Sequence, residues 1–152
     1  MKYRILTSVI LTSTMLLTAC ANDETKNEQN HQTQKAQQNN KVYDKLTDNN
    51  VIKDGSTATS KNKDTTYTLG NHDRILKVTK NLSDMPLNIQ KDEKQLNDDV
   101  TSFMEKDAKL KEIKSETVKI YYSEKLNRYY YVSYKLDVNS NVTEFIVSSY
   151  KE

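Results

Sequence analysis

Reactive chemistry has few places to reside in this chain. Cys20 is the one cysteine, and His31 and His72 are the two histidines. A Ser or Cys nucleophile needs a base within hydrogen-bond reach. His72 beside Asp73 is the one adjacent pairing of imidazole and carboxylate. Yet Gly70-Asn71-His72-Asp73 reads as a turn, and neighbours in an exposed turn seldom form a working dyad. Zinc would need several N or S ligands at short spacing, which one thiol and two distant imidazoles do not supply. Asp92-Glu93 and Asp98-Asp99 are acidic pairs without the Gly-containing spacing of a Ca²⁺ loop. With only Gly55 and Gly70 in the chain, a Gly-rich phosphate loop is excluded. These residue types predict no catalytic residues, no metal and no cofactor.

Cys20 has a context of its own. Lys2 and Arg4 precede an apolar stretch, Ile5 to Leu17, that is shorter than the ~20 residues a spanning helix needs. Its length suits the apolar region of a cleavable export signal. The stretch ends in Leu17-Thr18-Ala19-Cys20, which resembles the lipobox of bacterial lipoproteins. In that family the cysteine thiol is alkylated with diacylglycerol and a dedicated peptidase cuts just before it. The resemblance implies cleavage between Ala19 and Cys20, a membrane lipid attached through Cys20, and residence on the extracytoplasmic face of the cell membrane. Each buried CH₂ of an acyl chain adds ~0.8 kcal/mol, so two chains anchor where one would not.

The rest of the chain must position whatever the anchor carries. Of 152 residues, 1–19 form the expected signal, 20–40 the lipidated cysteine and a polar tether, and 41–152 a single small domain. Ala21 to Asn40 holds ten Asn or Gln and no large apolar side chain, too little to offset the entropy of ordering. The formal charge of +2 is carried by Lys2 and Arg4. Without them 21 basic residues face 21 acidic ones, so no basic excess points to nucleic acid. Without a second thiol the domain has no internal disulfide and depends on packing.

Hydrophobic periodicity predicts the elements. Lys53 to Asp64 reads as a polar loop. Thr65 to Leu69 and Arg74 to Thr79 read as a hairpin around the turn tetrad. After Pro86 a helix is expected to begin between Asn88 and Asp92, with Ile89, Leu96, Val100, Phe103, Leu110 and Ile113 on one face. Three strand-like runs follow, Glu116 to Tyr122, Tyr129 to Leu136 and Val142 to Tyr150, with connections short enough for antiparallel hairpins. The expected class is α+β: an N-terminal hairpin and one amphipathic helix packed on a C-terminal three-stranded antiparallel meander. With the lipobox and polar tether, that order is similar to the small cystatin-like-fold lipoproteins of staphylococci and related Gram-positive bacteria. This resemblance implies no catalytic residues, and a shared fold does not imply protease inhibition.

The tyrosines are the remaining signal. Seven of the ten fall between Tyr121 and Tyr150. Alternation predicts Val118, Ile120 and Tyr122 on the same face as Tyr130, Val132, Tyr134 and Leu136, with Tyr121, Tyr129 and Tyr131 opposite. Those three either stiffen the sheet as cross-strand pairs or form a protein-binding face, since Tyr is enriched at interfaces. The expected function is a non-catalytic accessory lipoprotein that binds another envelope protein, for example in modulating a sensor kinase system or a transfer apparatus. The alternative is a small ligand-binding or protease-inhibitor-like lipoprotein.

Overall fold

The structure, a computed structural model, describes residues 40–151. The expected signal and the tether up to residue 39 lie outside the described residues. Asn40, assigned to the tether, is buried, and its Oδ1 accepts a 3.1 Å hydrogen bond from the Thr47 N–H.

The α+β expectation is overturned. The described residues form one nine-stranded antiparallel sheet with a single short α-helix. Its strands are β1 (Val51–Asp54), β2 (Thr57–Ser60), β3 (Thr65–Leu69), β4 (Ile75–Asn81), β5 (Leu87–Asn88), β6 (Lys109–Ser115), β7 (Val118–Ser123), β8 (Arg128–Leu136) and β9 (Asn141–Ser148). They are ordered β1-β2-β3-β4-β9-β8-β7-β6, and β5 adds a short second pairing to β9. The runs read as a meander are β7, β8 and β9, but they do not stand alone. β9 also hydrogen-bonds to β4, from Lys77↔Ser148 to Asn81↔Glu144, and so becomes the seam between two halves. The helix is still followed by consecutively paired strands, β6 to β9, but these are one part of a larger sheet rather than a three-stranded meander under a helix.

Two local misreadings explain the difference. The stretch read as a loop contains β2, paired to β1 across Gly55-Ser56. Gly55 sits at φ +58, which a glycine adopts at no steric cost, and a two-residue turn of that kind matches strand twist. The expected long helix is only α1 (Glu93–Thr101). Thr101 Oγ1 bonds back to the Asn97 carbonyl at 2.7 Å and Ser102 Oγ to that of Asp99. Such back-bonding competes with the helical ladder where α1 ends. Ile89, Leu96, Val100 and Phe103 are buried as their spacing requires, whereas Leu110 and Ile113 are 47% and 60% exposed on β6. Their three-residue spacing matched a helix by coincidence.

One face of the sheet carries the core. Tyr67, Val78, Val147, Val132, Phe145, Tyr134, Tyr130 and Tyr121 point inward. Leu96 and Val100 of α1 belong to the same buried cluster, as do Phe103 and Met104 beyond it. The cluster is closed by Val42 and Leu46 from the segment before β1. That segment is pinned by Val42 N–H to the Phe103 carbonyl at 2.9 Å and Tyr43 N–H to that of Ile75 at 2.8 Å.

Candidate functional site

Register decides which tyrosines can meet a partner. Ser123 pairs with Arg128, leaving Glu124 to Asn127 as the connection, and this sets Tyr121 opposite Tyr130 and Tyr122 opposite Tyr129. Shifting a strand by one residue turns every side chain to the other face. The expected grouping therefore changes. Tyr121 is 2% exposed on the inner face, and its hydroxyl donates to Asn97 Oδ1 at 2.9 Å. Burial raises the pKa of its phenol, pushes that of Tyr130 up to about 12, and raises that of Tyr134 further still. These are structural hydroxyls, held protonated.

Tyr129 and Tyr131 lie on the outer face, joined there by Val118, Ile120 and Tyr122. Cross-strand rows run Ser148, Tyr131, Ile120, Glu112 and Ile146, Ser133, Val118, Ser115. All of these except Ile146, together with Lys114, Val132 and Lys151, line a groove of about 490 Å³. Above it Tyr122 and Tyr129 rest ring to ring, centroids 4.8 Å apart at 49°, and Tyr129 stays 45% exposed. Sequence reading missed Val118, Ile120 and Tyr122 as members of this face. The even number of residues between β7 and β8 is the signal that could have placed them.

β6 borders the groove as the outermost strand, and all seven of its residues are exposed. Its register with β7 is interrupted twice, after Leu110 and after Ile113. Those two side chains project on the inner side, opposite Tyr121 and Lys119. Lys109, Lys111 and Lys114 make the strand basic, with Glu112 paired to Lys114 at 2.5 Å. An edge of this kind offers unpaired backbone groups, while its lysines repel a second copy of itself.

The remaining sequence candidates that the structure describes are placed apart from this face. Cys20, Ala19 and His31 lie outside the described residues. His72 sits at φ 59 in a single 3-10 turn, Asn71–Asp73, and the carboxylate of Asp73 is engaged by Lys53 at 2.9 Å. Asp98 pairs with Lys94 at 2.9 Å on the exposed side of α1. Among the described residues no group of three His, Cys, Asp or Glu side chains is arranged to hold a metal ion, and no helix is long and apolar enough to cross a membrane. Comparison of the chain with protein-family models, with curated proteins and with solved structures gives no match.

Proposed function

We propose that this chain is a lipid-anchored, non-catalytic binding protein of the cell envelope, tethered through Cys20 on the extracytoplasmic face. Its partner on this reading is another envelope protein, such as a component of a sensor kinase system or a transfer apparatus. The observation that carries the binding role is the pairing of an outer groove, lined by Tyr131, Ile120 and Val118, with an exposed edge strand, β6. An extended segment added beside β6 would gain main-chain hydrogen bonds, and the groove would select its alternate side chains. The lysines of β6, with Lys151 at the groove, favour an acidic segment over a second copy of this strand.

Two measurements test the proposal together. Metabolic labelling with palmitate should mark the wild-type chain and not Cys20→Ala; continued labelling of that variant would remove the anchor. In intact cells, Tyr129→Thr with Ile120→Thr should sharply lower photocrosslinking from a probe at position 115, on the outer side of β6. Unchanged crosslinking in a variant that keeps its Tm would show that the outer face is not the docking surface. The size of the groove supports a second reading, a small ligand-binding lipoprotein, since about 490 Å³ lies in the range of small-molecule sites. On that reading a soluble ligand competes with the crosslink.

A further inference from the structure

A second concavity lies away from the tyrosine face, around Tyr43. It encloses about 770 Å³ between the segment before β1 and the turn before β4, and its titratable lining residues are Tyr43, Lys45, His72 and Arg74. Lys45 and Arg74 are direct partners in an isolated antiparallel bridge, so their side chains leave the backbone on the same side. Gly70 and Leu76 complete the wall, and they pack so closely that a Cβ at Gly70 would come within 2.9 Å of the Leu76 side chain.

Arginine usage singles this place out. The chain has 23 Lys and Arg but only three arginines, Arg4, Arg74 and Arg128. Both arginines of the domain lie near Tyr43: Arg74 lines the pocket with it, and the Arg128 guanidinium, outside the pocket lining, lies 5.8 Å from the Tyr43 ring centroid. The ring is itself fixed. It meets Tyr130 edge-on at 5.2 Å, and its hydroxyl donates to the Tyr129 carbonyl. Lys41, Lys53, Lys80, Lys94, Lys114, Lys119 and Lys125 each have a carboxylate within 4.0 Å. Lys45, Arg74 and Arg128 have none among the described residues; exposed lysines such as Lys61, Lys63 and Lys111 also have none, so the two arginines are what mark this place. The turn's own carboxylate, Asp73, faces Lys53, and it also feels the charges of Lys45 and His72.

The backbone is bent to make this arrangement. Tyr43 lies at φ 79, His72 at φ 59 and Asp73 at φ 58. A left-handed conformation is unusual for a bulky aromatic, and surrounding structure must hold it there. Two guanidinium forks and an ammonium, none neutralised by an ion pair, suit a ligand that offers several acceptor oxygens at once. A carboxylate fills one fork; a phosphate can fill both.

We infer that the Tyr43 pocket is a binding site for a phosphate group, held by Arg74, Arg128 and Lys45. The same chemistry is offered by the headgroup of an anionic phospholipid and by a soluble phosphate ester. The site is independent of the outer-face reading, because it shares no side chain with the groove.

The test follows the arginine Nε–Hε signals by NMR in the full chain carrying Cys20→Ser, held in neutral detergent micelles. The titrants are inorganic phosphate, glycerol 3-phosphate, acetate, and micelles doped with phosphatidylglycerol, all at constant ionic strength. Arg74 and Arg128 should shift together and saturate with phosphate-bearing titrants, more tightly than with acetate, while Arg4 serves as the internal reference. Arg74→Gln should weaken the midpoint at least about tenfold, as expected for the loss of hydrogen bonds to a charged group. Arg74→Lys should also weaken it, because charge is kept but the fork is lost. Lys45→Gln provides the same comparison if an Arg74 variant unfolds. Saturation by soluble phosphates identifies a phosphate ester as ligand, and saturation by doped micelles alone identifies a lipid headgroup. Unsaturating drift shared by all three arginines, or a midpoint unchanged in the variants, would overturn the site.

Discussion

Ser123 Oγ donates a 2.7 Å hydrogen bond to Asp107 Oδ1, joining the end of β7 to the loop that leads into β6. The second carboxylate oxygen accepts the Lys125 N–H at 2.8 Å, and Ser123 Oγ accepts that of Leu126 at 3.2 Å. One side chain thus organises the β7–β8 turn and fixes where the edge strand begins. The Lys125 N–H foremost, and then the Ser123 hydroxyl, hold the Asp107 carboxyl below the usual carboxylate range.

A folded-state pKa below the unfolded value gives stability that is present above about pH 4 and is lost as pH falls through the lowered value. Asp107→Asn removes the charge and keeps the shape. The variant should melt below the wild type at pH 7, and the gap should narrow as the pH is taken from 5 to 2. Circular-dichroism melts measure it. A gap of constant size across that range would show that the charge contributes nothing.

Phe103 is 4% exposed, its ring centroid 6.0 Å from that of Phe145, and it follows α1 at the point where Val42 is pinned. Phe103→Ala should cost ~3–5 kcal/mol in urea unfolding, a large share of a small domain's stability. A loss under ~1 kcal/mol would mean that this end of the core is not packed as described.

Tyr121 and Tyr129 should behave oppositely. Tyr121→Phe leaves Asn97 Oδ1 without its donor and should cost ~0.5–1.5 kcal/mol. Tyr121→Ala, which also opens a cavity, should cost ~3–5 kcal/mol. Tyr129→Thr keeps strand preference on an exposed surface and should cost under ~1 kcal/mol, the value of a cross-strand pair. Equal losses at Tyr121 and Tyr129 would contradict the register between β7 and β8.

The strand-forming runs of β3, β7, β8 and β9 were legible in the sequence, whereas β2 and β6 were not. Thr65–Leu69 is bounded as its sequence indicates, and β8 and β9 cover most of their Val-, Ile- and Tyr-rich runs, each beginning one residue earlier. Their partnership was not legible. Nothing local in Val142 to Ser148 says that it pairs with β4 as well as β8, because such pairing depends on contacts distant in sequence. The helix was over-extended because Leu110 and Ile113 continue an apolar spacing that Thr101 and Ser102 had already interrupted. The Tyr face was half visible: composition located it, but alternation along each strand alone put Tyr121 on the wrong side, which the parity across Glu124 to Asn127 corrects. The Tyr43 pocket left no local signal, since Tyr43, Arg74 and Arg128 meet only through the fold.

The place of β9 at the seam has a consequence for synthesis. Among the nine described strands it is the last to be made, yet β4, on its other side, is made long before. As a chain emerges residue by residue, β1 to β4 must wait with the β4 edge open until residues 141–148 arrive. Closure over so long a separation is slow, and an open edge is prone to pair wrongly meanwhile. Delivery across a membrane in an unfolded state would suit this topology, because the whole chain is then released before either half has committed to a partner.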